Sequence, residues 1–78
     1  MWHVYVLRCA DGSLYTGSTT DIDRRLKEHN AGRGAGYTRP RLPVKLAYKE
    51  DYSNRSDAQR REAEIKRFSR RGKIALIS

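Results

Sequence analysis

The chain has 78 residues, with 17 Lys and Arg against nine Asp and Glu, for a formal net charge of +8. That length predicts one domain, residues 1–78, near the lower limit for a self-sufficient hydrophobic core. A single cysteine, Cys9, excludes an internal disulfide framework, and with two histidines far apart in sequence no ordinary structural zinc cluster can be written.

His3 to Cys9 alternates as a strand, with Trp2, Val4 and Val6 on one face, and Ser13 to Ser18 is its return arm. Asp11-Gly12 between them permits two hairpin loops. A two-residue loop pairs Cys9 with Leu14 and sends the rings of Tyr5 and Tyr15 to opposite faces, because side chains alternate with period two. A three-residue loop, Ala10-Asp11-Gly12, puts Gly12 in the left-handed conformation beside a bulge. It pairs Leu7 with Tyr15 and Tyr5 with Gly17, so both rings share a face.

Thr20 is read as the N-cap of a helix running to about Asn30, with Asp23 approximating a capping box. At about 100° per residue, Ile22 and Leu26 form the apolar stripe, Arg25 and His29 fall on the same side, and Arg24, Lys27 and Glu28 face away. An inward Arg25 is either a stem lying over the core or a guanidinium held for an anion. His29 is either a satisfied buried histidine or part of a site. Residues 31–43, AGRGAGYTRPRLP, are glycine-rich and basic, but without a preceding strand or a Walker-type lysine they make no phosphate loop. Tyr37 amid Arg33, Arg39 and Arg41 suits a flap that contacts nucleic acid, or a linker that Tyr37 anchors to the core.

Val44 to Tyr48 reads as a short, cationic edge strand, and Asp51 to Arg55 as a polar loop. Ser56-Asp57-Ala58-Gln59 is read as a capping box opening the second long helix, on which Ala58, Ile65 and Phe68 make the buried stripe. Glu62 falls inside that stripe. A carboxylate on an apolar face costs several kcal/mol unless it is paired or binds a cation, so Glu62 predicts either pairing with Lys66 or Arg61, or a metal site. Arg70-Arg71-Gly72 is read as the helix break, and Lys73 to Ile77 as a short amphipathic tail capping the core.

The charge excess is local. Arg33 to Lys45 holds four basic residues and no acid, and Arg60 to Lys73 holds seven against two acids. This points to a polyanionic partner, with Arg33, Tyr37, Arg39, Arg41, Lys66, Arg70, Arg71 and Lys73 as candidate contacts to nucleic acid. No helix joins a basic face to a continuous large-apolar one, so a membrane surface is not expected. Without a leader or a run long enough to span a bilayer, a soluble cytoplasmic protein is expected.

Periodicity therefore turns Tyr5, Tyr15, Arg25, His29 and Glu62 inward from two strands and two helices, under a positive surface. Those groups suit phosphodiester hydrolysis. One carboxylate can hold a hydrated Mg²⁺ or Mn²⁺, an arginine can offset charge in the transition state, and a tyrosine can orient or deprotonate the attacking water.

Val4-Tyr5-Val6 followed ten residues on by Tyr15-Thr16-Gly17 resembles the paired motif of the GIY-YIG nucleases. Tyr15 to Thr19, with Arg25, His29 and Asn30, repeats that family's YxGxT and RxxxHN spacing, and Ala58 to Lys66 is similar to its glutamate helix. GYTR and PVKLAY, within Gly34 to Glu50, resemble the small UPF0213-type members. The resemblance implies an α+β fold with a small three-stranded antiparallel sheet flanked by helices. It also implies an endonuclease using Mg²⁺ or Mn²⁺ on DNA with low sequence specificity, on single-stranded or branched substrates in repair or recombination. Tyr5 and Tyr15 would be the motif tyrosines, Arg25 the catalytic arginine, Glu62 the metal ligand and His29 an auxiliary group. The other reading is a nucleic-acid-binding module that keeps the fold and does no chemistry. If the two tyrosines serve one site, the hairpin must take the three-residue loop, with Gly12 at positive φ and Gly17 opposite Tyr5.

Overall fold

The computed structural model describes residues 1–78. Strands β1 (Trp2–Arg8) and β2 (Leu14–Thr19) form the hairpin, followed by helix α1 (Ile22–Asn30), a 3₁₀ turn at Arg39–Arg41, strand β3 (Lys45–Tyr52) and helices α2 (Arg55–Lys66) and α3 (Arg70–Ile77). The three strands make one antiparallel sheet in the order β2-β1-β3. Helices cover both faces, giving the α+β architecture expected. No helix is long and apolar enough to cross a membrane.

The hairpin takes the three-residue loop. Cys9 N–H donates to the Ser13 carbonyl at 2.8 Å, Gly12 has φ 84°, and the register pairs Tyr5 with Gly17 and Leu7 with Tyr15. The Asp11 carboxylate accepts from Ser13 N–H at 3.0 Å and from its hydroxyl at 2.6 Å, so the turn residues satisfy one another locally.

The alternation of β1 divides the core in two. Val4 and Val6, with Leu14, meet Ala58 and Ile65 of α2 on one face, where Leu76 and Ile77 of α3 also pack. Tyr5, Leu7 and Cys9 meet Ile22 and Leu26 of α1 on the other, with Val44 and Leu42 from the long loop.

Several boundaries differ from the sequence expectation. The N-cap of α1 is Asp21, not Thr20: its backbone is extended and its carboxylate accepts from Arg24 N–H at 3.0 Å, adding a negative charge at the helix start. Helix α2 starts from Asn54 rather than Ser56. Asn54 Oδ1 accepts from Asp57 N–H at 2.8 Å while its amide donates to the Asp57 carboxylate at 3.1 Å, closing the box two residues earlier. The chain breaks after α2 at Arg67 to Ser69, and Arg70-Arg71-Gly72 is the first turn of α3, capped by Ser69.

Strand β3 runs on through Glu50 and Asp51 to Tyr52, beyond the expected end at Tyr48. The extension is stable because its inward carboxylate is satisfied. Glu50 accepts from Arg61 Nε at 2.9 Å and Nη2 at 3.0 Å, and from the hydroxyls of Tyr48 and Tyr52. Burial alone would raise this carboxyl; the guanidinium and the two hydroxyls overcome that and bring it down to about 2. A carboxyl depressed by folding stabilises above its unfolded pKa and loses that contribution as pH falls through the folded value. From 4.5 down to about 2, a contribution on the order of 1–2 kcal/mol, after solvent screening at this partly exposed pair, is therefore expected to disappear. Glu50→Gln should cost about 2 kcal/mol at pH 7 and flatten this acid limb, as read by urea denaturation at several pH values. An unchanged slope below pH 4.5 would refute the assignment.

Candidate active site

The site is built around a buried hydrogen-bond chain. Tyr5 is 2% exposed and lies across Gly17 of the edge strand β2, so closely that a Cβ on Gly17 would sit 2.5 Å from the phenol oxygen. The bare glycine is what lets the ring cross β2 toward the sheet's edge. Tyr5 Oη is 3.2 Å from His29 Nε2, and His29 Nδ1 is 2.8 Å from Thr38 Oγ1. The Thr38 hydroxyl donates to the Ala35 carbonyl at 3.0 Å, so its oxygen accepts from His29 Nδ1–H. That assignment leaves Nε2 as the acceptor for the Tyr5 hydroxyl.

The electrostatics agree with a neutral chain. His29 is fully buried, and burial followed by the nearby Arg25 charge lowers its pKa. Burial pushes the Tyr5 phenol up, against the opposing pull of Arg25. A neutral imidazole thus faces a neutral phenol in a dry setting.

Tyr15 is half-buried on the same face. Its ring lies edge-on to His29 at 5.4 Å and stacks on Tyr37 at 6.0 Å. Arg25 flanks Tyr5 and is held by Glu28, whose Oε1 accepts from Arg25 Nη1 at 3.1 Å. Glu28, expected on the outward side of α1, turns instead to this guanidinium.

Glu62 reaches the cluster from the opposite face of the sheet. Its Oε1 accepts from Ser18, which pairs with Val4 and so faces α2, at 2.6 Å. Its Oε2 lies 2.7 Å from Lys66 Nζ. Because β2 is an edge strand, α1 and α2 can bring groups together around it, and Glu62 is close enough to Tyr5 to act on its charge. Tyr5, Tyr15, Arg25 and His29 thus lie together on one face, and Glu62 comes to the same edge from the other face through Ser18, the neighbour of the Gly17 that Tyr5 crosses.

Glu62 is the carboxylate available to a divalent ion, and no three His, Cys, Asp or Glu side chains gather anywhere in the molecule. This donor set does not suit a metal that needs several protein ligands. It does suit hydrated Mg²⁺ or Mn²⁺, which keep most of their waters and take one or two carboxylates. Lys66, expected among the nucleic-acid contacts, must turn away from Glu62 for that to happen.

The basic residues separate into two groups. Lys66 and Lys73 line a groove of about 260 Å³ with Leu14, Tyr15, Thr16 and Tyr37. Arg70 and Lys73 line its continuation beside Ser13, and Arg70 also donates to the Gly12 carbonyl at 3.0 Å. Arg33 and Arg71 are exposed. Arg39 donates to the Gly32 carbonyl at 3.2 Å. Arg41 is engaged internally: it lies 3.1 Å from Asp11, donates to the Tyr37 carbonyl at 2.6 Å and sits over the Tyr37 ring at 4.1 Å. Tyr15 and Arg41 lie against the Tyr37 ring and tie the loop to the sheet, while the ring stays exposed along the groove.

The long loop contributes two groups that the sequence did not single out. Thr38 fixes the His29 tautomer, and Gly34 packs so tightly on the imidazole that a Cβ there would lie 2.2 Å from Nδ1. Asn30 clasps the loop's far end, donating to the Val44 carbonyl at 3.1 Å and accepting from Val44 N–H at 2.8 Å. The one available signal was the RxxxHN spacing, which placed Asn30 beside His29 without saying what it holds.

A three-stranded antiparallel sheet with two tyrosines on one face, flanked by α1 and α2, is the architecture of a GIY-YIG domain. The family profile described as the GIY-YIG catalytic domain matches residues 1–75, and the chain belongs to this family, whose members include endonucleases. The similar proteins are of the UPF0213 type. One from Halobacterium salinarum is 57% identical over 77 residues, covering 99% of this chain and all of that one. Another from Staphylococcus haemolyticus is 53% identical over 75 residues, 96% of this chain and 92% of the other. The solution NMR structure of a UPF0213 protein from Bacillus halodurans matches with a TM-score of 0.63 at 49% identity, covering 99% of this chain and 83% of that one. That of a protein from E. faecalis matches with a TM-score of 0.61 at 46% identity, covering 91% and 76%.

Proposed function

We propose that this protein is a divalent-metal-dependent DNA endonuclease that hydrolyses phosphodiester bonds with low sequence specificity. The observation that carries the reading is the buried Tyr5–His29–Thr38 hydrogen-bond chain beside a half-exposed Tyr15, with Arg25 flanking Tyr5. Tyr15 is the phenol that water can reach, whereas the Tyr5 hydroxyl is committed to His29. Tyr15 orients the attacking water, and the proton that water loses passes to the solvent that reaches this half-exposed phenol. Arg25 holds a phosphoryl oxygen and offsets the charge that develops in the transition state. Tyr5, His29 and Thr38 keep these groups rigid. Mg²⁺ or Mn²⁺ held by Glu62 would supply electrostatic stabilisation of the leaving oxygen.

Lys66, Lys73 and Arg70 in the groove beside Tyr15 suit backbone phosphates, and phosphate contacts carry no sequence information. Single-stranded or branched DNA arising in repair or recombination is the substrate we assign, met in the cytoplasm.

The test is a panel of labelled single-stranded, duplex and branched oligonucleotides with and without Mg²⁺ or Mn²⁺. Cleavage of at least one substrate is expected, and Tyr15→Phe should slow it by about 10²- to 10⁴-fold while keeping the stacked ring and the fold. A second reading, a nucleic-acid-binding module without chemistry, draws support from the Lys66–Glu62 pair, which occupies the carboxylate. Salt-dependent binding with no product on prolonged incubation would decide for it.

A further inference from the structure

We propose that Lys66 is a built-in competitor for the cation at Glu62, so that the divalent ion binds well only after the ammonium has been drawn into the neighbouring groove. The inference rests on the reading of Glu62 as the metal ligand.

The geometry is specific. Glu62 has two oxygens, and each is occupied: Oε1 by the Ser18 hydroxyl and Oε2 by Lys66 at 2.7 Å. The Ser18 bond leaves room for a second partner on a carboxylate, because each oxygen has two lone pairs. The Lys66 contact is different in kind, since a positive charge at Oε2 both fills the coordination position and repels an incoming cation. Glu N-terminal to Lys by four residues is the favourable orientation on a helix, so the pair forms without any help from the rest of the fold.

Lys66 also has a second seat. It already lines the groove with Tyr15, Tyr37, Lys73 and Thr16, and the Thr16 hydroxyl is buried there without a hydrogen-bond partner. A backbone phosphate lying in that groove would attract the ammonium of Lys66, whose side chain is half exposed. One charge then serves two states: it neutralises Glu62 when the groove is empty and binds phosphate when it is full. Loading of the cation is coupled to occupation of the groove, and the coupling is reciprocal by linkage.

The experiment is a Mn²⁺ titration of the full chain without nucleic acid, read by the electron paramagnetic resonance signal of free Mn²⁺. The wild type, Lys66→Met, Lys66→Arg and Glu62→Gln are compared, each checked for folding by circular dichroism. Lys66→Met is expected to bind Mn²⁺ about two- to fivefold more tightly than the wild type, the range that a half-exposed ion pair of this kind supports. Lys66→Arg should stay as weak as the wild type, and Glu62→Gln should lose the site. If Lys66→Met binds no more tightly while Glu62→Gln loses binding, the competitor is refuted and the metal ligand stands. If Glu62→Gln binds like the wild type, or if no variant binds Mn²⁺, the metal reading falls and the competitor with it.

Discussion

Glu62→Gln and Arg25→Ala are each expected to lower the DNA cleavage rate by about 10²- to 10³-fold, the loss that follows removal of one preorganised charge from a transition state. The two substitutions should be separable by what else they change. Glutamine keeps the shape of Glu62 and can still accept from Ser18, but it removes the charge that attracts both Lys66 and a divalent ion. Raising Mg²⁺ or Mn²⁺ should not restore its activity. Arg25 makes one partly exposed ion pair with Glu28, worth no more than about 1 kcal/mol, so Arg25→Ala should remain folded. Its loss should fall on kcat more than on KM if the guanidinium acts mainly on developing charge. Single-turnover cleavage of a labelled oligonucleotide measures both. Rates within threefold of the wild type for both folded variants would remove Glu62 and Arg25 from the chemistry.

Gly34→Ala is expected to destabilise the protein by about 1–3 kcal/mol, because a methyl group would have to occupy space already filled by the imidazole. For a domain of this size that is a fall in Tm of about 4–8 °C per kcal/mol. The added Cβ would be 2.2 Å from His29 Nδ1. His29 has nowhere to go: it is fully buried, with Tyr5 on one nitrogen and Thr38 on the other. Relief must come by moving the loop or the ring, and either breaks the chain that holds Tyr5, so activity should fall along with stability. Gly36→Ala is the control. Nothing lies within 4 Å of a Cβ at that position, and its melting temperature should be nearly unchanged. Equal melting temperatures for the two variants would show that the loop yields more easily than its contacts imply.

Local chemistry in the sequence accounts for much of this site. Asp11-Gly12 narrowed the hairpin to two loops, and the requirement that Tyr5 and Tyr15 act together selected the one found. Helical periodicity was enough to turn Arg25 and His29 toward the sheet, because both lie within one short amphipathic helix. What periodicity could not supply was the side of the sheet to which Glu62 belongs. "Inward" on α2 means the face opposite the tyrosines, and the cluster closes only because β2 lies at the edge. That placement follows from β1 pairing with β3, a contact between residues 37 to 50 positions apart, from Arg8–Lys45 to Trp2–Tyr52. Thr38 and Gly34 were hidden for a related reason. A threonine and a glycine in a polar loop are ordinary turn residues until the loop is folded back on His29. Arg41 reads from the sequence only as a basic residue beside an aromatic, and its contact with Asp11 of the distant hairpin follows from the tertiary fold. The N-caps of α1 and α2 were misplaced because Thr20 and Ser56 are as acceptable chemically as the Asp21 and Asn54 that perform the task.

The paired hydrogen bonds between Asn30 and Val44 have a consequence for how this family can vary. They hold the two ends of a thirteen-residue excursion at a fixed separation, much as a knot fixes the ends of a bow whatever the size of its loops. Within the excursion the constrained points are those that press on His29, together with Tyr37, Arg41 and Leu42, which pack against the hairpin and the core. Arg33, Gly36 and Pro40 make no contact with the imidazole and can change identity without disturbing it. Substrate preference can therefore drift on the outer surface of the bow while the chemistry beneath it stays in register.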